Sequence, residues 1–309
     1  MAYTWNQSGL VLSALLAIGG CATAADDSDG ADDTEGAPAG LSLTTDQVPT
    51  DAEVANLDIG PAATNGISYH GGAIMTGTNH IYYIWYGNWG TNTAKTILTD
   101  LAKGIGGSSY FNINTTYYNA AGTHITNSVA YAASTTDNYS QGKSLSDAAV
   151  KNIVASAITS GRLPKDSHAV YFVLTYSDVN ETSGFCTQYC GWHSHASISS
   201  TTIKYAFIGD PARCPSACES GDASVNGNAA ADGMASIISH ELEEAVTDPN
   251  GTAWYDSSGQ ENADKCAWNF GSTHTASNGG IYNQTFGTRK FLIQENWLNA
   301  SGGKCAQSY

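Results

Sequence analysis

Charge is scarce in this chain. Only 13% of its 309 residues are charged, about half the usual share. No Lys or Arg precedes Lys95, and 12 basic residues face 28 acids. The clustered positive charge needed to neutralise phosphates is therefore missing, which excludes a nucleic-acid partner. Outside the N-terminus no apolar run approaches the roughly 20 residues of a spanning helix, so an integral membrane protein is excluded as well. A phosphate-binding loop is also lacking: Gly104, Gly106 and Gly107 have no following Lys and no strand before them. Cysteine is absent between Cys21 and Cys186.

What is present divides the chain into three parts. Residues 9–20 form a short apolar stretch followed by small residues, the pattern of an export signal over residues 1–21. The tetrad Ile18-Gly19-Gly20-Cys21 resembles a bacterial lipobox. It implies lipidation of Cys21 and peripheral membrane attachment through that lipid; cleavage near residues 22–25 is the alternative. Residues 22–61 are acidic and rich in Ala and Gly, and ten of the 28 acids lie between Asp26 and Asp58. Such a segment buries too little apolar area to offset its ordering entropy and is expected to be a disordered tether. Residues 62–309 are expected to form one domain outside the cytoplasm, either secreted or held at the cell surface as a lipoprotein.

Six cysteines follow Cys21: Cys186, Cys190, Cys214, Cys218, Cys266 and Cys305. An even number in an exported chain favours three disulfides stapling the C-terminal half, with the pairing left open. Two C-x3-C pairs would instead suit zinc in a reducing compartment.

Apolar, β-branched and aromatic runs predict strands at 80–89, 168–176 and 202–208, with a hairpin inside 110–133. Helical spacing marks 93–103, 144–160 with Ser146 as cap, and 232–247 with Asp232 as cap and Pro249 as stop. Strands alternating with helices predict an α/β fold, a mixed sheet with packed helices.

Several motifs in order resemble the phosphate-induced, or EXORDIUM-like, family of secreted proteins. They are Tyr69-His70-Gly71-Gly72, Tyr83-Ile84-Trp85-Tyr86-Gly87, Phe185-Cys186, Cys190-Gly191-Trp192-His193, Cys214-Pro215 with Cys218, and Asp232-Gly233-Met234. Glu244-Ala245-Val246-Thr247-Asp248-Pro249, Gly287-Thr288-Arg289-Lys290-Phe291 and Cys305 complete the set, which covers about residues 66–305. The resemblance implies secretion and an apoplastic or envelope location; plant members are growth-associated wall proteins, so it implies little chemistry. The pair His240-Glu241 is read as the mark of a bacterial-type member, and its role is argued from the residues alone.

The predicted helix at 232–247 carries His240-Glu241-Leu242-Glu243-Glu244. At 3.6 residues per turn, His240, Glu244 and Asp248 share one row, while Met234, Ile238, Leu242 and Ala245 form the core stripe. Glu241 lies between the two, and Glu243 is expected to face solvent. A His and a carboxylate one turn apart, with a Glu after the His, is how zinc hydrolases build H-E-x-x-H; here the motif is H-E-x-x-E. The reading is a zincin-like active helix in a zinc-dependent, metallopeptidase-like hydrolase: His240, Glu244 and Glu261 bind zinc, and Glu241 is the general base. Glu261-Asn262-Ala263-Asp264 resembles the second motif of the gluzincin metallopeptidases, which implies Glu261 as ligand and Asp264 as support for His240. His193 is the alternative ligand, and Asp248 lies near the site. A calcium-like ion held by oxygens alone is a further option. The expected substrate is a peptide or envelope polymer. The rival function is a non-catalytic envelope protein that binds carbohydrate or a partner, with Trp254 and Tyr255 stacking on a sugar ring.

Overall fold

The computed structural model describes residues 66–300 and 302–309. Cys21 and the segments 1–21 and 22–61 lie outside the described residues. Among the described residues no helix is long and apolar enough to cross a membrane.

The core is a five-stranded mixed sheet. Its strands are β1 (Asn79–Tyr86), β2 (Val129–Asp137), β3 (Ala169–Thr175), β4 (Gly191–Ile198) and β5 (Thr201–Ile208), in the order β2-β1-β3-β5-β4. The first four strands in that order are parallel, and β4 returns antiparallel to β5 at the edge. Strand β3, AVYFVLT, is buried at every position, as expected of a strand covered on both faces. The covering helices are α1 (Ala94–Gly104), α2 (Asp147–Thr159) and α3 (Ala229–Thr247). Both α2 and α3 pack on β3 and β5, and α3 also packs on α1 and β4. Parallel neighbours require crossover connections, which explains why helices separate β1, β2 and β3 in sequence.

Three expectations are corrected. Residues 110–133 hold no hairpin of two strands: Phe111–Thr116 is a 3-10 helix, and the strand that follows, β2, pairs parallel to β1. Helix α3 begins three residues earlier than Asp232, capped by Asn228, whose side chain accepts from the Ala231 N–H. Asn is as good a cap as Asp, so both positions offered a start signal. Strand β4, GWHSHASI, was not expected, since its glycine, serines and histidines carry little β signal.

Three disulfides join Cys186 to Cys214, Cys190 to Cys218 and Cys266 to Cys305. The first two bind the 186–190 loop before β4 to the one-turn helix Pro215–Cys218 that precedes α3. The third fixes the loop after α3 to the C-terminal strand Lys304–Ala306. Such bonds persist in oxidising compartments, which matches an extracellular protein.

Candidate metal centre

Every residue of helix α3 from Met234 to Thr247 is buried, so most of its polar side chains face protein. Glu243 is fully buried, against the expectation that it faces solvent. The helix period was right, but the 3-10 helix Phe111–Thr116 covers the face that should have been open. Asn114 donates from Nδ2 to Glu243 Oε1 at 3.4 Å, and Asn262 and Asn296 both donate to Asn114 Oδ1. Burial lifts the Glu243 carboxyl well above the usual range, against the opposing hydrogen bonds from Tyr110 and Asn114. Burial thus favours its protonated form over the carboxylate.

The next turn of the same helix carries the chemistry. His240 Nε2 lies 3.0 Å from Glu244 Oε1 and 3.4 Å from Asp264 Oδ1. On the other side of Glu244, His193 Nε2 lies 2.9 Å from Glu261 Oε2 and 3.8 Å from Glu244 Oε2. The donor atoms thus form two triads, His240–Glu244–Asp264 and His193–Glu244–Glu261, and each can hold a metal ion. Glu261 groups with His193, while the carboxylate beside His240 is that of Asp264. The turn after α3 sets this arrangement: Asp264 donates its N–H to Glu244 Oε1, and Glu261 donates its N–H to Asp264 Oδ2. His193 reaches the site from β4, which packs directly on α3.

The electrostatics are those of carboxylates crowded out of water. Burial, then the Asp264 carboxylate, pushes the Glu244 carboxyl up to about 8, against the pull of His240. Asp248 sits one turn beyond Glu244 and is fully buried; it caps the chain reversal by accepting the Thr252 and Ala253 N–H groups. Burial pushes it up to about 6 despite those bonds. The nearby cation Lys265 points away, to Asp256 at 2.9 Å and over the Trp297 ring.

A cleft of about 340 Å³ opens onto His240, Glu241 and Asp264. Its lining also includes Tyr189, the disulfide-tied residues Cys186 and Cys190, and Trp268. Trp268 is 46% exposed. Glu241 owes its room to Gly191 at the start of β4. A Cβ there would lie 3.2 Å from Glu241 Oε1, 2.9 Å from Phe207 O and 2.5 Å from Ile237 Cγ2. Trp254, expected at the surface, is buried against Tyr69, Tyr117 and Tyr118, and Tyr255 stacks on His70. The sequence had no signal for the buried Asn114–Asn262–Asn296 group, because Asn reads as a turn residue wherever it stands.

Residues 67–307 match the family model described as the phosphate-induced protein 1 conserved region. The chain is 30% identical over 271 residues to Protein EXORDIUM-like 3 of Arabidopsis thaliana, covering 75% of this chain and 80% of that one. It is 30% identical over 276 residues to Protein EXORDIUM-like 5 of the same plant, covering 75% of each. Protein PHOSPHATE-INDUCED 1 of Nicotiana tabacum is 27% identical over 156 residues, 46% of this chain and 47% of that one. No solved structure matches the chain.

Proposed function

The chain belongs to the phosphate-induced protein 1 family, and from that premise we propose that it is an exported zinc-dependent hydrolase of metallopeptidase-like mechanism. One observation carries the reading: His240, Glu244 and Asp264 converge within ligand distance of one another, and His240 and Asp264 line an open cleft together with Glu241.

These donors suit zinc, which takes imidazole nitrogen and carboxylate oxygen in sites that keep one position open. A zinc ion held there would supply Lewis-acid polarisation of a scissile carbonyl and a nucleophile at neutral pH. The chain's own residues do the rest. Glu241 stands next to His240 on the helix and lines the cleft, so it accepts the proton of an attacking water and returns it to the leaving group. Gly191 keeps its carboxylate in place by leaving room for it. Trp268 in the lining offers a flat apolar face to a peptide or envelope polymer, the substrate class proposed. The lipobox-like end of the export signal would tether this domain to a membrane through Cys21.

Glu241→Gln should retain stoichiometric zinc by mass spectrometry while hydrolysis of a casein-type substrate falls about 10²- to 10⁴-fold. A Gln variant as active as wild type removes Glu241 from the role of base. Zinc content unchanged by His240→Ala removes the metal assignment itself.

A second reading, a non-catalytic envelope module that binds carbohydrate, is favoured by the exposure of Trp268 in the cleft lining. Retention on insoluble wall polysaccharide that is lost in Trp268→Ala, with no hydrolysis by wild type, would select it.

A further inference from the structure

We infer that the cluster is built for two divalent cations, with the Glu244 carboxylate bridging them. This rests on the metal reading above and extends it to a second ion held by His193 and Glu261.

The geometry separates the two triads. Glu244 presents Oε1 to His240 at 3.0 Å and Oε2 to His193 at 3.8 Å, a different oxygen to each imidazole. Two ligand bonds of 2.0–2.1 Å at a tetrahedral angle place their donor atoms about 3.3 Å apart. The separations here, 3.0 and 3.4 Å around His240 and 2.9 and 3.8 Å around His193, bracket that value on both sides of Glu244. A carboxylate shared in this way holds its two ions about 3.5–4 Å apart, the spacing of two-metal hydrolytic centres.

Charge points the same way. Glu244, Glu261 and Asp264 bring three carboxylates together with two imidazoles, which ligate in the neutral form. One divalent ion leaves this set negative in a buried place. Two leave it at plus one, next to further carboxylates. One of these is Asp248, whose charge interacts with His193. Among the described residues its Oδ2 is a buried oxygen with no hydrogen bond that meets geometric criteria. Leaving buried carboxylate charge unmatched is costly, and a cation on the His193 side offsets the cost on that side of Glu244. The split of ligands between β4, α3 and the turn after it means that a second ion also ties three separate segments together.

The test uses the full chain stripped of metal, reloaded with zinc and desalted, with ions counted by mass spectrometry. Two ions per chain are expected, falling to one in His193→Ala and to one in His240→Ala; circular dichroism confirms that each variant is folded. Reloading wild type with manganese gives a variant-independent readout, because two ions on one carboxylate produce a spin-coupled pair signal by electron paramagnetic resonance. One ion per chain, lost in His240→Ala and without a coupled signal, overturns the second site and leaves the proposed function standing. Absence of any bound ion overturns both.

Discussion

The metal-free protein should lose stability as the pH rises from about 5 to 8. Burial and neighbouring carboxylates hold the Glu244 carboxyl at about 8, against an ordinary value of 4.5. Below about pH 4.5 it is protonated in both the folded and the unfolded chain, so it contributes no pH dependence there. Between 4.5 and 8 the unfolded chain has released the proton and the folded one has not, so the unfolded state gains progressively. At 1.36 kcal/mol per pH unit this amounts to about 5 kcal/mol by pH 8, a large fraction of a domain's 5–15 kcal/mol. Asp248, raised from 3.8 to about 6, acts in the same direction over the lower part of the range. For a domain of this size about 5 kcal/mol corresponds to roughly 10–20 °C in Tm. Thermal unfolding in chelator should therefore show a Tm lower by that amount at pH 8 than at pH 5. Zinc should restore it at pH 8, because the ion takes the proton's place on Glu244. Glu244→Gln should reduce the pH dependence, leaving the share of the buried Glu243 and Asp248, and abolish the rescue. A chelated wild type whose Tm holds or rises between pH 5 and 8 would refute the reasoning, as would a Gln variant with the wild-type slope.

Three further outcomes are expected. Gly191→Ala places a methyl 2.5 Å from Ile237 Cγ2 and 2.9 Å from Phe207 O, so urea unfolding should show a loss of about 1–3 kcal/mol together with weakened activity. Replacing both Cys266 and Cys305 by Ala releases a bond with a sequence separation of 39, and should cost about 2–5 kcal/mol in the same assay while zinc is still bound, more weakly. Mass spectrometry of the exported protein should find acyl chains on Cys21; an intact peptide running from before Cys21 into the tether would remove the anchor.

The alternating helices and strands were legible because 79–86 and 169–175 carry long apolar and aromatic runs, while 147–159 repeats its apolar residues at helical spacing. His240, Glu241 and Glu244 could be singled out because one helical turn fixes their spacing whatever surrounds them. The partners could not be read with the same certainty. Glu261 and Asp264 are three residues apart in a turn, and helical or strand periodicity does not say which of them faces His240. His193 comes from a strand whose sequence has no strand signature, placed beside α3 only by the antiparallel return of β4 along β5. Glu243 was misjudged because a helical wheel knows its own axis and not the 3-10 helix lying across its outer face.

The paired bridges Cys186–Cys214 and Cys190–Cys218 have the same separation, 28 residues, and stand four residues apart on both segments. They work like two adjacent rivets on one hinge plate, preventing rotation where a single rivet would allow it. The wall they hold includes Tyr189, whose hydroxyl is bound to Glu181 and Ser183. A chain still in a reducing cytoplasm would have the helix and its acids but neither rivet, and the cleft would lack a fixed side. Completion of the cleft is thereby coupled to the redox compartment: only where the two disulfides can form is this side of the cleft fixed.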